Sequence, residues 1–311
     1  MRRSFSILNF FDLFKTCWGV VSTFFDVFDV FPDVVFGKGG YGSFPTLVAA
    51  RILHIPVFIH ESDASPGRVN KWAGKFAKRI AISYPQAAEF FPNERVAFTG
   101  QPILRDKQEP ITAGAHEFFG FEETFPTIFI MGGSQGSETI NNILMDSLSE
   151  LIKDFQIIHQ TGPNNIEIMR ESAEAILLES PHKNRYKPFA YMNSLEISMA
   201  AGAASIVVNR AGSSIFEIAS WGRPSIIIPL PEDVSHDQTK NAFAHAESGA
   251  CSVLEEENLK PHIFISEIRR ILENKELYQK MSGAAKAFFK PDAADLIAKE
   301  LLAMALGHEK I

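Results

Sequence analysis

Cysteine is scarce in this sequence: Cys17 and Cys251 are the only two in 311 residues, and they form no CxxC pair. That excludes a disulfide-stapled scaffold and reads as two reduced thiols in a cytosolic protein. Long apolar runs are missing too. None reaches the ~20 residues of a spanning helix, and no small-residue cleavage site follows the apolar start, so neither a span nor a secretory signal is read there. There is no basic excess: the net charge is −7, which argues against a protein held on nucleic acid by bulk charge. The nine histidines lie without carboxylate or cysteine partners at ligand spacing, so no metal and no bound cofactor is expected. Internal repeats and low-complexity tracts are also absent.

Hydrophobic residues make up 46% of the chain and charged residues 22%, the balance of a folded globular protein. The length allows two domains, each with its own core. Phenylalanine is abundant, 27 against 5 tyrosines, and eight lie within the first 31 residues. There Leu8, Phe11, Phe14, Trp18, Val21, Phe25 and Phe28 recur every three or four positions, with Asn9, Asp12, Thr16 and Asp29 opposite. This spacing predicts an amphipathic helix. Its apolar stripe either covers a sheet or meets a membrane or partner.

From residue 33 onward, short Ile/Val/Phe runs alternate with helical segments. Strands are predicted at 33–36, 55–60, 79–83, 95–99, 127–131, 156–159, 188–191, 205–208 and 225–228. Continuous apolar strands separated by helices indicate parallel sheets covered on both faces. The expected division is 1–108 and 126–290, with 109–125 as a linker around Pro110, Gly114 and Gly120, and a helix at 291–311 that packs back on the first domain.

Three glycine loops follow strands. Gly37, Gly39 and Gly42 satisfy G-x-G-x-x-G, and Glu61 ends the next strand, where a ribose-binding acid of an NAD site belongs. The second loop, Gly132-Gly133-Ser134-Gln135-Gly136, would point backbone N–H groups and the Ser134 hydroxyl at an anion, as a diphosphate seat does. The third, Arg210-Ala211-Gly212-Ser213-Ser214, leads to Glu217, a carboxylate able to accept from two ribose hydroxyls. Gln238 offers one donor and one acceptor to a sugar hydroxyl. Phosphate, ribose and sugar elements in this order favour a nucleotide-sugar site over a dinucleotide site.

These residues resemble a known family. Pro32-Asp33-Val34-Val35, Gly37-x-Gly39-Gly40-Tyr41, His60-Glu61-Ser62-Asp63, Asn70-Lys71, Gly132-Gly133-Ser134-Gln135-Gly136, His159-Gln160-Thr161-Gly162, Arg210-Ala211-Gly212 and Asp237-Gln238-x-x-Asn241-Ala242 are similar, in order, to the motifs of the MurG family of N-acetylglucosaminyltransferases. The resemblance implies an α/β GT-B fold, two Rossmann-like doubly wound parallel-sheet domains facing a cleft. It implies inverting transfer of GlcNAc from UDP-GlcNAc to the 4-hydroxyl of the undecaprenyl-diphosphate-linked MurNAc-pentapeptide (lipid I), giving lipid II and UDP. The protein would sit peripherally on the cytoplasmic face of the bacterial membrane. UDP-GlcNAc would be bound by Gly133, Ser134, Gln135, Gly136, Arg105, Asp63, Arg210, Gly212, Ser213, Glu217 and Gln238. The acceptor would meet Gly39, Gly40, Tyr41 and Asn70, with Lys38 beside them.

Two departures from the family pattern stand out. An opening strand and a first glycine loop ending in His, the usual candidate base, have no counterpart here, so an N-terminally incomplete first domain is expected. His60 and Glu61, at the end of a strand beside the acceptor loop, become the candidate bases. One residue fewer than usual separates Gly212 from Glu217. The competing functions are an NAD-binding oxidoreductase built on Gly37, Gly39, Gly42 and Glu61, a glycolipid-forming transferase, and a UDP-sugar-binding remnant without turnover.

Overall fold

A computed structural model describes residues 7–133, 135–232 and 234–308. Contacts divide the chain into two compact units, Met1–Gln101 with Asp292–Ile311, and Pro102–Pro291. Each carries its own parallel sheet.

Unit one opens with helix α1 (Ile7–Val30), followed by β1 (Val35–Gly37), α2 (Phe44–Ile52), β2 (Val57–Glu61), α3 (Arg68–Ala73), β3 (Arg79–Ile82) and β4 (Val96–Phe98). The four strands lie in sequence order, all parallel. Successive side chains of a strand point to opposite faces, and here both faces are covered. Val57, Ile59, Ile80 and Ile82 pack with Leu47, Ala49 and Ala50 of α2. On the other side Phe58 and Ala81 pack with Ile297 and Met304 of the chain's last helix. That double cover explains why all five residues of β2 are buried.

From Trp18 onward the aromatic stripe of α1 does not cover the sheet. Trp18, Val21, Phe25 and Phe28 are 52–68% exposed, while Val27 is buried and Phe24 packs beside it in the core. The packed side, including Gly19, Thr23 and Val27, is largely small or β-branched, and a Cβ at Gly19 would lie 3.9 Å from Pro45 of α2. Small residues let two helices approach closely, so the bulky aromatics are left outward. Periodicity located the stripe but not the side that packs, because the helix is apolar on both. The side chains of Leu8, Phe11 and Phe14 lie outside the described residues.

Unit two holds α4 (Ala115–Phe119), β5 (Thr127–Met131), α5 (Glu138–Asp154), β6 (Gln156–Gln160), α6 (Ile166–Ile176), β7 (Tyr186–Phe189), α7 (Ser194–Ala203), β8 (Ala204–Asn209), α8 (Ser214–Trp221), β9 (Ser225–Ile227), α9 (His236–Glu247), β10 (Cys251–Val253), α10 (Pro261–Glu273) and α11 (Lys275–Phe288). The chain then enters α12 (Ala293–His308), which belongs to unit one. The six strands run β10-β9-β8-β5-β6-β7, all parallel. The chain therefore leaves the central β5 in one direction and returns at β8 to go in the other. In such doubly wound sheets ligands bind outside the strands' C-terminal ends, where the order reverses.

Residues 102–108, assigned above to the first domain, and 109–125, read as a linker, belong to unit two. Trp221 Nε1 donates to the Lys107 carbonyl at 2.8 Å, and Ile111 N donates to Ser198 O at 2.9 Å. Ala115, Phe119 and Phe121 are buried in its core. The glycines at 114 and 120 flank α4 with positive φ and hide its short apolar pattern. Strand β7 begins two residues earlier than expected. It accommodates Pro188 because it lies at the sheet's edge. The short edge strand β10 was not foreseen. Among the described residues no helix is long and apolar enough to cross a membrane.

Candidate functional site

At the β5/β8 reversal a cavity of about 730 Å³ is lined by the loops after β5, β7, β8 and β9 and by Gln160 at the end of β6. Of the residues singled out from sequence, Gly133, Gly136, Arg210, Gly212, Ser213, Glu217 and Gln238 line it. Ser134, the expected anion donor between Gly133 and Gln135, lies outside the described residues, as do the side chains of His236 and Asp237. Gln135 and Arg105 do not line the cavity, and Asp63 belongs to unit one.

The β5–α5 loop is shaped by its glycines. Gly133 and Gly136 have φ of +82° and +78°, a region that L side chains rarely adopt. A Cβ on Gly136 would also collide with the Thr161 carbonyl oxygen, and one on Gly132 with the Ser137 amide. The loop ends at Ser137, which caps α5 by accepting from Ile140 N. Gly212 differs: a Cβ there would meet no atom within 4 Å. Neither backbone nor packing requires glycine at 212.

Polar groups around the cavity are partly committed. Arg210 is nearly buried. It donates to Ile228 O and Pro229 O and to Ser137 Oγ at 2.6 Å, and it pairs with Glu256 at 2.5 Å. It is a bracket joining β9, α5 and residue 256. Gln238 Oε1 accepts from Leu230 N at 3.2 Å, which leaves its amide N–H groups to meet a ligand. Glu217, in the first turn of α8, lies 3.6 Å from Lys107 Nζ. Burial raises the Glu217 pKa, and Lys107 opposes the rise. Lys107, Gln160 and Glu256 line the cavity unforeseen. Gln160 stood within a quoted motif, at the end of a strand, which was the available signal. Lys107 sits in a stretch without periodicity and gave none.

In unit one, Gly39 and Gly40 both have φ of +79°, and Tyr41 is exposed. A Cβ on Gly39 would lie 2.7 Å from Asn70 Nδ2, so this loop rests on Asn70. Asn70 in turn donates to Glu61 Oε2 at 2.8 Å and to His60 O at 3.1 Å. Glu61 Oε1 accepts from Asp63 N at 2.9 Å. Burial raises the Glu61 pKa, and those hydrogen bonds pull it back. His60 is fully buried, with Nε2 3.1 Å from Gly100 O, an acceptor only, so Nε2 carries the proton. Its pKa is lowered to about 4, by burial first and then by Lys38.

The two residues singled out as candidate bases are thus buried, with their polar atoms engaged inside the protein. That arrangement suits holding the 61–70 loop better than taking a substrate proton. The engaged Glu61 carboxylate is likewise not placed to receive a ribose. The loop also leads into a 3₁₀ turn, Tyr41–Ser43, before α2, so the NAD fingerprint does not open a helix directly.

Comparison with known proteins follows the same division. Residues 127–297 match the glycosyltransferase family 28 C-terminal domain, and residues 1–82 the N-terminal domain of that family. A UDP-N-acetylglucosamine–N-acetylmuramyl-(pentapeptide) pyrophosphoryl-undecaprenol N-acetylglucosamine transferase of Treponema denticola is 34% identical over 313 residues, 99% of this chain and 79% of the relative. The enzyme of the same name from Clostridium tetani is 33% identical, over 90% of this chain and 76% of its own. The crystal structure of Acinetobacter baumannii MurG superposes with a TM-score of 0.75 at 25% identity, over 93% of this chain and 79% of that one. An S. aureus MnaA–UDP structure shares the fold, with a TM-score of 0.69 at 14% identity, over 96% and 82%.

Proposed function

Because the chain belongs to glycosyltransferase family 28, and within it to the MurG N-acetylglucosaminyltransferases, we infer that it transfers GlcNAc from UDP-GlcNAc to lipid I. The bond formed joins GlcNAc C1 to the MurNAc 4-oxygen, the bonds broken are C1 to the UDP diphosphate and the 4-hydroxyl O–H, and lipid II, UDP and a proton leave. The observation that carries this reading in the molecule is the cavity at the strand-order reversal. It combines a glycine loop at a helix N-terminus, a carboxylate and a carboxamide.

Each group has a role that its chemistry supports. The β5–α5 loop amides and the positive end of α5 attract the UDP diphosphate and the charge that grows on it as C1 departs. Glu217 accepts from the ribose hydroxyls, with Lys107 keeping it ionised. The Gln238 amide donates to a GlcNAc hydroxyl, and the space at Gly212 lets the ligand approach the backbone. Arg210, fixed by four partners, holds this frame. In unit one, the Gly39–Gly40 loop with Tyr41 and Asn70 receives the acceptor. His60 and Glu61 hold that loop in place.

The exposed row Trp18, Val21, Phe25 and Phe28 supports a peripheral seat on the cytoplasmic face of the membrane, where the lipid-linked acceptor resides. Apolar side chains of an interfacial helix bury into the boundary between headgroups and acyl chains.

Calorimetry with UDP, UDP-GlcNAc and NADH, alongside transfer to a short-chain lipid I analogue, tests the reading. UDP binding with GlcNAc transfer is expected. NADH binding without UDP binding would reverse the assignment, and UDP binding without transfer would mark a UDP-sugar-binding remnant.

A further inference from the structure

Beneath the glycine loop of unit two runs a buried polar chain. Tyr186 OH lies 2.9 Å from His159 Nδ1, His159 Nε2 lies 2.9 Å from Asn141 Oδ1, and Asn141 Nδ2 donates to Thr161 O at 3.0 Å. The direction of each bond follows from its last acceptor. A carbonyl oxygen only accepts, so Asn141 turns its NH₂ to Thr161 and its oxygen to His159. His159 Nε2 therefore carries the proton, and Nδ1 accepts from the tyrosine hydroxyl. His159 and Asn141 are both within 1% of full burial, where a broken hydrogen bond leaves an expensive unpaired group.

The chain ends where the loop is tightest. Thr161 O is the atom a Cβ on Gly136 would strike, and a Cβ on Gly162 would strike Gln135 O. The β6–α6 turn and the glycine loop thus touch backbone to backbone. Beside this contact Gln160 Nε2 donates to Gly133 O at 3.1 Å, and Gly136 N donates to the same oxygen at 3.1 Å. The Gly133 carbonyl is held from two sides, and the Thr161 carbonyl that backs Gly136 is held by Asn141 and Asn165.

We propose that His159 and Gln160 are positioning residues for nucleotide binding. Gln160 clamps the Gly133 carbonyl, and His159, oriented by Tyr186, fixes Asn141 and through it the Thr161 carbonyl on which Gly136 rests. The loop amides are thereby set for the diphosphate before it arrives. This rests on the reading that the cavity takes UDP.

The test uses the full chain carrying Tyr186→Phe, Asn141→Leu or both. Amide hydrogen exchange of residues 132–137 is followed without ligand, and UDP affinity is measured by calorimetry. Loss of one neutral buried hydrogen bond is expected to weaken UDP about threefold in Tyr186→Phe, and about tenfold in Asn141→Leu, with faster loop exchange in both. If the groups act in series, the double variant is no weaker than Asn141→Leu alone, and the lipid acceptor's KM does not move. Unchanged loop exchange in Tyr186→Phe, with effects on UDP that add, would overturn the proposal. Tyr186→Phe removes a single hydroxyl and keeps the question open to refutation should Asn141→Leu fold poorly. A wild-type chain that fails to bind UDP while the variants still speed exchange would overturn the nucleotide reading, not the loop support.

Discussion

The Lys107 ammonium lies 3.6 Å from the Glu217 carboxylate on the wall of the cavity at the strand-order reversal. Burial raises the Glu217 pKa and Lys107 holds it down. A contact that needs the carboxylate is present above its pKa and lost as pH falls through it. In Lys107→Met that loss should begin at higher pH than in wild type, because the opposing cation is gone. KM for UDP-GlcNAc measured across pH 5–8 checks this, and coincident profiles would count against the pair. Glu217→Gln should raise that KM roughly tenfold at pH 8, as for loss of a charge-assisted hydrogen bond, and the gap from wild type should close as pH falls through the Glu217 pKa.

Two glycines on this cavity predict opposite outcomes. Gly136 combines positive φ with a backbone collision, so Gly136→Ala should cost about 2 kcal/mol or more of folding stability. Gly212→Ala enters open space and should leave the urea midpoint unchanged while raising KM for UDP-GlcNAc. A Gly212→Ala enzyme with normal KM would show that the ligand does not use that space.

His60 titrates at about 4 in the folded protein, below its ordinary 6.5. The folded state thus resists a proton that the unfolded chain accepts. Stability is full above pH ~6.5 and falls as pH drops toward 4, by about 2 kcal/mol at pH 5 from this residue. His60→Gln should flatten the acid limb of stability measured by urea unfolding at pH 5 and pH 7.5. An equally steep limb would place the acid sensitivity elsewhere, with buried His159 and His245, whose pKa values are also lowered by burial, to about 3 and about 4.

The two sides of α1 separate surface from core. Trp18→Ser with Phe25→Ser should cut co-sedimentation with phosphatidylglycerol vesicles about tenfold or more, since each exposed side chain stands to bury ~1.5–3 kcal/mol of apolar surface. Added salt should matter little, because the segment 7–30 holds a single lysine and no arginine. Val27→Ser, on the buried side, should instead lower thermal stability and leave retention intact. The reverse pattern would exclude this helix as the membrane contact.

Much of this was legible from residues alone, for identifiable reasons. Strand β5 matches its predicted bounds because Thr127–Met131 is an apolar run closed by Gly132. The loop after β5 was found because glycine is needed where backbones meet. What escaped shares a different character. Lys107 reaches the cavity through tertiary packing by Trp221, many residues away in sequence. The engagement of His60 and Glu61 depends on Gly100 and Asn70, brought close only by the fold. Which side of α1 packs depended on close approach of small residues, a property that a hydrophobic pattern does not encode.

Unit one is sewn from two distant stretches, since α12 covers Phe58 and Ala81 only after Pro102–Pro291 has been made. On a ribosome adding ~5–20 residues per second, that face of the first sheet waits roughly 10–40 s for its cover. Unit two, continuous in sequence, can close first. Unit one is then the last to mature, and during synthesis its open sheet face is the part of the nascent chain most in need of a chaperone.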